Sequence, residues 1–115
     1  MIFQNSPFEI LDKAFKNLYP DKSYIAFIDV DMKDESGEKV YGCTQFNDCD
    51  TPIIFIDSSL SIQNAIEIFA HELAHVAVGA EEEHGKLWEK AFDEIQSEYN
   101  SIGEELWEQK RNNLK

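Results

Sequence analysis

The chain has 115 residues, 43% of them hydrophobic and 12% aromatic, which suits one globular domain over residues 1–115 and excludes a mainly disordered chain. Its formal net charge of -13 repels phosphate backbones, so no direct nucleic-acid binding is expected and basic partners are favoured. The N-terminus has no charged-then-apolar leader, and no apolar run approaches the roughly 20 residues that span a bilayer, so a cytoplasmic protein with no membrane partner is expected.

Ser6 followed by Pro7 reads as an N-cap with proline at the first helical position. Phe8, Leu11, Phe15 and Leu18 then form one stripe at helical spacing, so a helix is predicted over Pro7 to Leu18. Tyr24 to Val30 is β-branched and aromatic and reads as a strand; Lys33 to Glu38 is a polar turn, and Val40 to Phe46 a second strand. Asn47 to Pro52 is dense in turn formers. Ile53-Ile54-Phe55-Ile56 is a third strand, whose continuous apolar character predicts burial on both faces. The connection lengths predict an antiparallel meander. Cys43 and Cys49 do not make a disulfide framework, nor do they match the spacing of a structural zinc pair. They are expected to be reduced thiols, bridged only if the strands set them opposite each other.

Ser61 precedes a long helical pattern with Ile62, Ala65, Ile66, Phe69, Leu73, Val76 and Ala77 on one face, and Gly79 is its expected stop. Glu81-Glu82-Glu83 falls in a loop. A last helix is predicted from about Gly85 to near the end, carrying Leu87, Trp88, Ala91, Phe92, Ile95, Tyr99, Ile102 and Leu106, with Gly103 as a point of breakage or bending. The order α-β-β-β-α-α gives an α+β class: a three-stranded, mainly antiparallel sheet packed on helices.

The segment His71-Glu72-Leu73-Ala74-His75 carries the chemistry. Residues four apart on a helix project from one face, so the two imidazoles can meet at one ion. Glu72 lies on the neighbouring edge of that face, placed to move a proton rather than to ligate. Such a pair also arises on solvated helix faces. Here it lies in an apolar run, where two imidazoles and a carboxylate cost several kcal/mol unless partnered. A zinc ion is the expected partner, one per chain. A catalytic site takes three protein ligands and keeps one position open. His84 is the remaining histidine and the leading third ligand; Glu81, Glu82, Glu83, Glu89 and Asp93 are the rivals, of which any glutamate would give a His₂Glu site.

His71-Glu72-Leu73-Ala74-His75 followed by His84-Gly85-Lys86-Leu87-Trp88 resembles the SprT-like zinc metallopeptidases, which pair an HExxH helix with a downstream His-Gly-x-x-aromatic segment. The strands around Gly42-Cys43 and Ile53 to Ile56 are similar to that family's hairpin ahead of the active-site helix, and the likeness covers about Val40 to Phe92. Size and element order also resemble the minimal gluzincin-like domains called minigluzincins. The resemblance implies a zincin-like fold, His71, His75 and His84 as zinc ligands, and Glu72 as general base. It implies further that the strand with Ile54, Phe55 and Ile56 borders the cleft and pairs with an extended peptide. Zinc ribbons and DNA-binding regions, frequent in the family, are not seen in this chain, so DNA-linked roles are not expected. The metzincin pattern does not fit, because its glycine and third histidine would both come earlier than Gly79 and His84. The expected activity is therefore a zinc metalloendopeptidase acting on protein or peptide, with Tyr41, Tyr24 and Tyr99 as open candidates for the oxyanion donor. The other reading is a non-catalytic or latent metal-stabilised binding module of the same fold. Oligomeric state is not legible.

Overall fold

Ser6 has extended backbone, and its hydroxyl accepts the Glu9 N–H at 3.2 Å, supplying one of the donors that a helix start leaves unpaired. It opens α1 (Pro7–Leu18) of the computed structural model, which describes residues 6–47, 50–80 and 84–113. β1 (Ile25–Asp29), β2 (Gly42–Asn47) and β3 (Asp50–Asp57) follow, then α2 (Ile62–Val78) and α3 (Lys86–Asn113). Ser61 caps α2 as Ser6 caps α1, its hydroxyl accepting the Asn64 N–H at 3.2 Å.

The expected meander is not formed. The strand order is β1-β3-β2: β3 is central, antiparallel to β2 and parallel to β1, so the sheet is mixed. The reason lies in residues 30–41. They close on themselves through a Lys33–Lys39 bridge and a turn at Asp34, so they are not the turn of a β1–β2 hairpin. The excursion is tied down at Asp57, whose buried carboxylate accepts Lys39 Nζ at 2.6 Å, the Met32 N–H at 3.1 Å and the Ser59 N–H at 3.0 Å. The Lys39 ammonium, ahead of the Ser59 hydroxyl and the Met32 amide, holds this carboxyl well below the usual carboxylate range. The chain thus lays β2 away from β1, and β3 fills the space between.

Of the turn expected over Asn47 to Pro52, Asn47 belongs to β2 and Asp50 to Pro52 belong to β3, while residues 48–49 lie outside the described residues. Between the pairs Gln45–Ile53 and Asn47–Asp50 the register slips, so Thr51 and Pro52 together oppose Phe46. A proline is tolerated there because a bulge has no ladder bond for its missing N–H.

α2 packs one side on β2 and β3 and the other on α3 and α1. Leu11 and Phe15 of α1, Ile54 and Ile56 of β3, Phe69 and Leu73 of α2 and Ile95 of α3 are buried in one cluster. Burying each such side chain contributes about 1.5–3 kcal/mol. Ile53 and Phe55 are only partly covered, so β3 is buried on its helix-facing side and half-covered on the other. Two further expectations change. Ile62 and Leu87 are exposed, although the helical pattern places both on packing faces. Gly103 does not break α3, which runs through it without interruption. No helix among the described residues is long and apolar enough to cross a membrane.

Candidate metal centre

Ala65, Phe69, Leu73 and Val76 seat α2 on the core, which leaves His71 and His75 half-buried along one side of the helix. α2 ends at Gly79, whose N–H bonds the His75 carbonyl at 2.9 Å while its φ of 94° turns the chain out of the helix. That φ is strained for any residue with a Cβ, so the return of the chain depends on glycine. His84 comes back against both histidines of α2. Its Nε2 lies 3.0 Å from His71 Nε2 and 3.1 Å from His75 Nε2, and the three rings are 4.8–5.0 Å apart by centroid.

Hydrogen bonding cannot satisfy this cluster by itself. Each ring nitrogen is either a donor or an acceptor, and His84 Nε2 would have to serve two neighbours at once. One ion accepting a lone pair from each nitrogen satisfies all three. Nitrogens at 2.0–2.1 Å from a tetrahedral ion would lie about 3.3 Å apart, close to the 3.0 and 3.1 Å that separate His84 from the other two, and all three ligand atoms lie within 4.8 Å of one another. Burial, and then the neighbouring His75 and His84, lower the His71 pKa to about 4; burial and His84 also lower that of His75. Both rings are therefore held in the neutral form that ligates. His71, His75 and His84 can hold a metal ion, and they form the candidate set among the described residues. Glu81, Glu82 and Glu83 lie outside those residues. Glu89 and Asp93 are exposed on α3 and are not members of the cluster.

α3 braces the rings. Trp88 is buried, its ring centroid 4.7 Å from His71, 4.8 Å from His84 and 5.7 Å from His75. Its indole N–H donates to the His71 carbonyl at 3.3 Å, and Phe92 stacks behind it at 5.1 Å. The aromatic residue four positions after His84 thus acts as the wall that orients the imidazoles.

Glu72 is 6% exposed, and the Thr44 hydroxyl donates to its Oε1 at 2.7 Å. Burial raises its pKa, opposed by the Thr44 bond and by His84. Thr44 was not foreseen. It reaches Glu72 through sheet register: Gly42 pairs with Ile56 and Thr44 with Ile54, so all four share the face that meets α2. Gly42 is what lets the helix approach, since a Cβ there would sit 2.4 Å from Ile68 Cγ2 and 3.3 Å from Glu72 Oε2. The alternation of Gly42 and Thr44 was visible in the sequence, but which helix it faced was not.

The substrate-side residues fall out differently. Ile54 and Ile56 are buried, and β3 has a strand on either side, so Ile54, Phe55 and Ile56 have no free edge to offer a peptide. Tyr41 is half-exposed with Lys39 Nζ 5.7 Å from its ring centroid, and is not brought into the histidine cluster. The Tyr24 hydroxyl donates to Asp12, and Tyr99 lines a cavity with Ile62 and Gln63, about two turns of α2 before His71. Cys43 is a free thiol beside Phe55 in the register, and Cys49 lies outside the described residues. The chain matches no family model, no curated protein and no solved structure.

Proposed function

We propose that the chain is a zinc-dependent metallopeptidase, with His71, His75 and His84 as ligands and Glu72 as general base. The observation that carries this reading is the convergence of three Nε2 atoms beside a buried carboxylate that is not itself a ligand. When bound, zinc supplies Lewis acidity that brings the pKa of a water toward about 7 and polarises a carbonyl. Glu72 takes the proton of the attacking water as its oxygen bonds to the carbonyl carbon. It then delivers that proton to the amine as the carbon–nitrogen bond breaks. Thr44 holds Oε1, which leaves Oε2 for this transfer. The paired His-Glu-x-x-His and His-Gly-x-x-Trp segments, with Trp88 packed on all three imidazoles, support an SprT-like assignment within a zincin-like fold. An extended substrate would pair with the edge of β2 that is unpaired among the described residues, whose Gly42 and Thr44 border Glu72, and not with β3.

One observation favours the second reading, a non-catalytic or latent module. Glu72 is nearly inaccessible and already hydrogen-bonded. Glu72→Gln separates the two. Protein purified without added metal is expected to carry about one zinc per chain by elemental analysis and to cleave members of a peptide library. Glu72→Gln should keep the metal and the melting temperature while abolishing cleavage, because an amide is no base. Cleavage at the wild-type rate by that variant would remove Glu72 from the mechanism. Zinc binding with no cleavage by either protein would leave the module reading.

A further inference from the structure

The sheet edge farthest from Glu72 carries a surface that the metal centre does not use. Among the described residues β1 pairs only with β3, and all five of its residues are exposed. Ile25 is 47%, Phe27 51% and Ile28 62% exposed, and Val30, just past the strand, 72%. Scattered apolar residues on a surface are ordinary, but four within six positions on a bare strand edge form a template for another chain.

The backbone of the edge is open as well. The Asp29 carbonyl accepts the Ser58 N–H at 2.8 Å, so the polar groups of Asp29 turn toward β3. Alternation along the strand turns those of Ile25 and Phe27 the same way, and those of Ala26 and Ile28 outward. Both faces beside this edge are shaped. On the helix side, Phe8, Tyr24, Ala26, Ile28 and Phe69 line an open groove of about 420 Å³. On the other side, Phe27 stacks on Phe55 at 5.8 Å. The rim is acidic. Glu9 and Asp12 border the groove and Asp29 and Asp31 follow at the end of the strand; Lys16 lies 3.0 Å from Asp12 and Lys33 3.8 Å from Asp31, so these four acids outnumber the two bases paired with them and the rim keeps a net negative charge.

We propose that β1 is a docking edge for an extended basic segment of a partner protein, which adds to the sheet as a fourth strand. Its apolar residues cover Phe27 on one face and enter the groove on the other, while its lysines or arginines meet the acidic rim. A second copy of this chain is a poor occupant, because it would bring together two molecules of net charge -13. The dock lies about 10 Å, two strand spacings, from β2 and does not rest on the peptidase reading.

The test uses the full chain and a fluorescein-labelled peptide of alternating valine and lysine, against a counterpart with glutamate for lysine, read by anisotropy. The basic peptide should bind at least about tenfold more tightly and weaken as salt rises. Ile28→Pro deletes an outward N–H at an edge position where proline is tolerated, and Phe27→Lys replaces the apolar contact with a like charge. Each should weaken binding by at least about tenfold, whereas His71→Ala should leave it unchanged. In the wild-type chain the Ala26 and Ile28 amides should exchange more slowly once the peptide is bound, which needs no variant to fold. Equal binding of the two peptides, unchanged exchange at Ala26 and Ile28, or loss of binding in His71→Ala would overturn the proposal. So would a dimer in sedimentation that Phe27→Lys dissolves, since the edge would then be covered by a second copy.

Discussion

His84 decides the ligand set, because it is the one histidine that α2 does not supply. His84→Ala should weaken zinc binding by more than the roughly 10–100-fold that loss of an outer hydrogen-bond partner costs, as read by competition titration. Alanines at Glu81, Glu82 and Glu83 together should change it little; the reverse ranking would make this a His₂Glu site. Thr44→Val is nearly isosteric but leaves Glu72 Oε1 buried without its donor, and should cost about 1–3 kcal/mol in denaturant unfolding, with Thr44→Ser restoring most of it. The histidines also set a pH dependence for the metal-free chain. Their pKa values are lowered in the fold, so the unfolded chain charges first. Stability should fall as pH drops through the ordinary histidine value of about 6.5, and keep falling until His71 titrates at about 4. Glu72 acts in the opposite sense, since its raised pKa favours the fold at low pH and that contribution is lost as pH rises. Denaturant midpoints between pH 7 and 5, taken in chelator, should therefore decline more steeply in Glu72→Gln than in the wild type. Of this site, His71, Glu72 and His75 were legible because i, i+4 spacing on a helix is a local signal. Thr44 was not, because its partner is set by strand register 28 residues away.

At the scale of elements, local chemistry was readable and long-range pairing was not. Ser6-Pro7 and Ser61 mark the starts of α1 and α2, and Gly79 marks a stop, since caps act within one turn. The strands were found but their order was missed, because the self-closed excursion over residues 30–41 depends on Asp57, far along the chain. Two glycine substitutions test the packing in opposite directions. Gly103 lies inside α3 with open space where a Cβ would go, so Gly103→Ala should stabilise by about 0.5–1 kcal/mol. Gly42→Ala forces a methyl into Ile68 and should destabilise by about 1–3 kcal/mol. Equilibrium unfolding of the two variants side by side gives both signs.

The whole molecule measures 55 × 29 × 24 Å, elongated along a 28-residue α3 about 42 Å long. A core of this size is marginal, and the histidines close a loop between the end of α2 and the start of α3. An ion bound there stabilises the fold by mass action, so chelation should lower the melting temperature, by several degrees for each kcal/mol lost. An identical melting curve in verified metal-free protein would uncouple the ion from the fold. The chain itself provides the means to watch this. Of its two tryptophans, Trp107 is 56% exposed on the far part of α3, whereas Trp88 lies face to face with Phe92 and against all three imidazoles. An indole in that position is an intrinsic optical probe. In a Trp107→Phe background, the emission of Trp88 alone would report filling and emptying of the histidine cluster in real time, with no label attached.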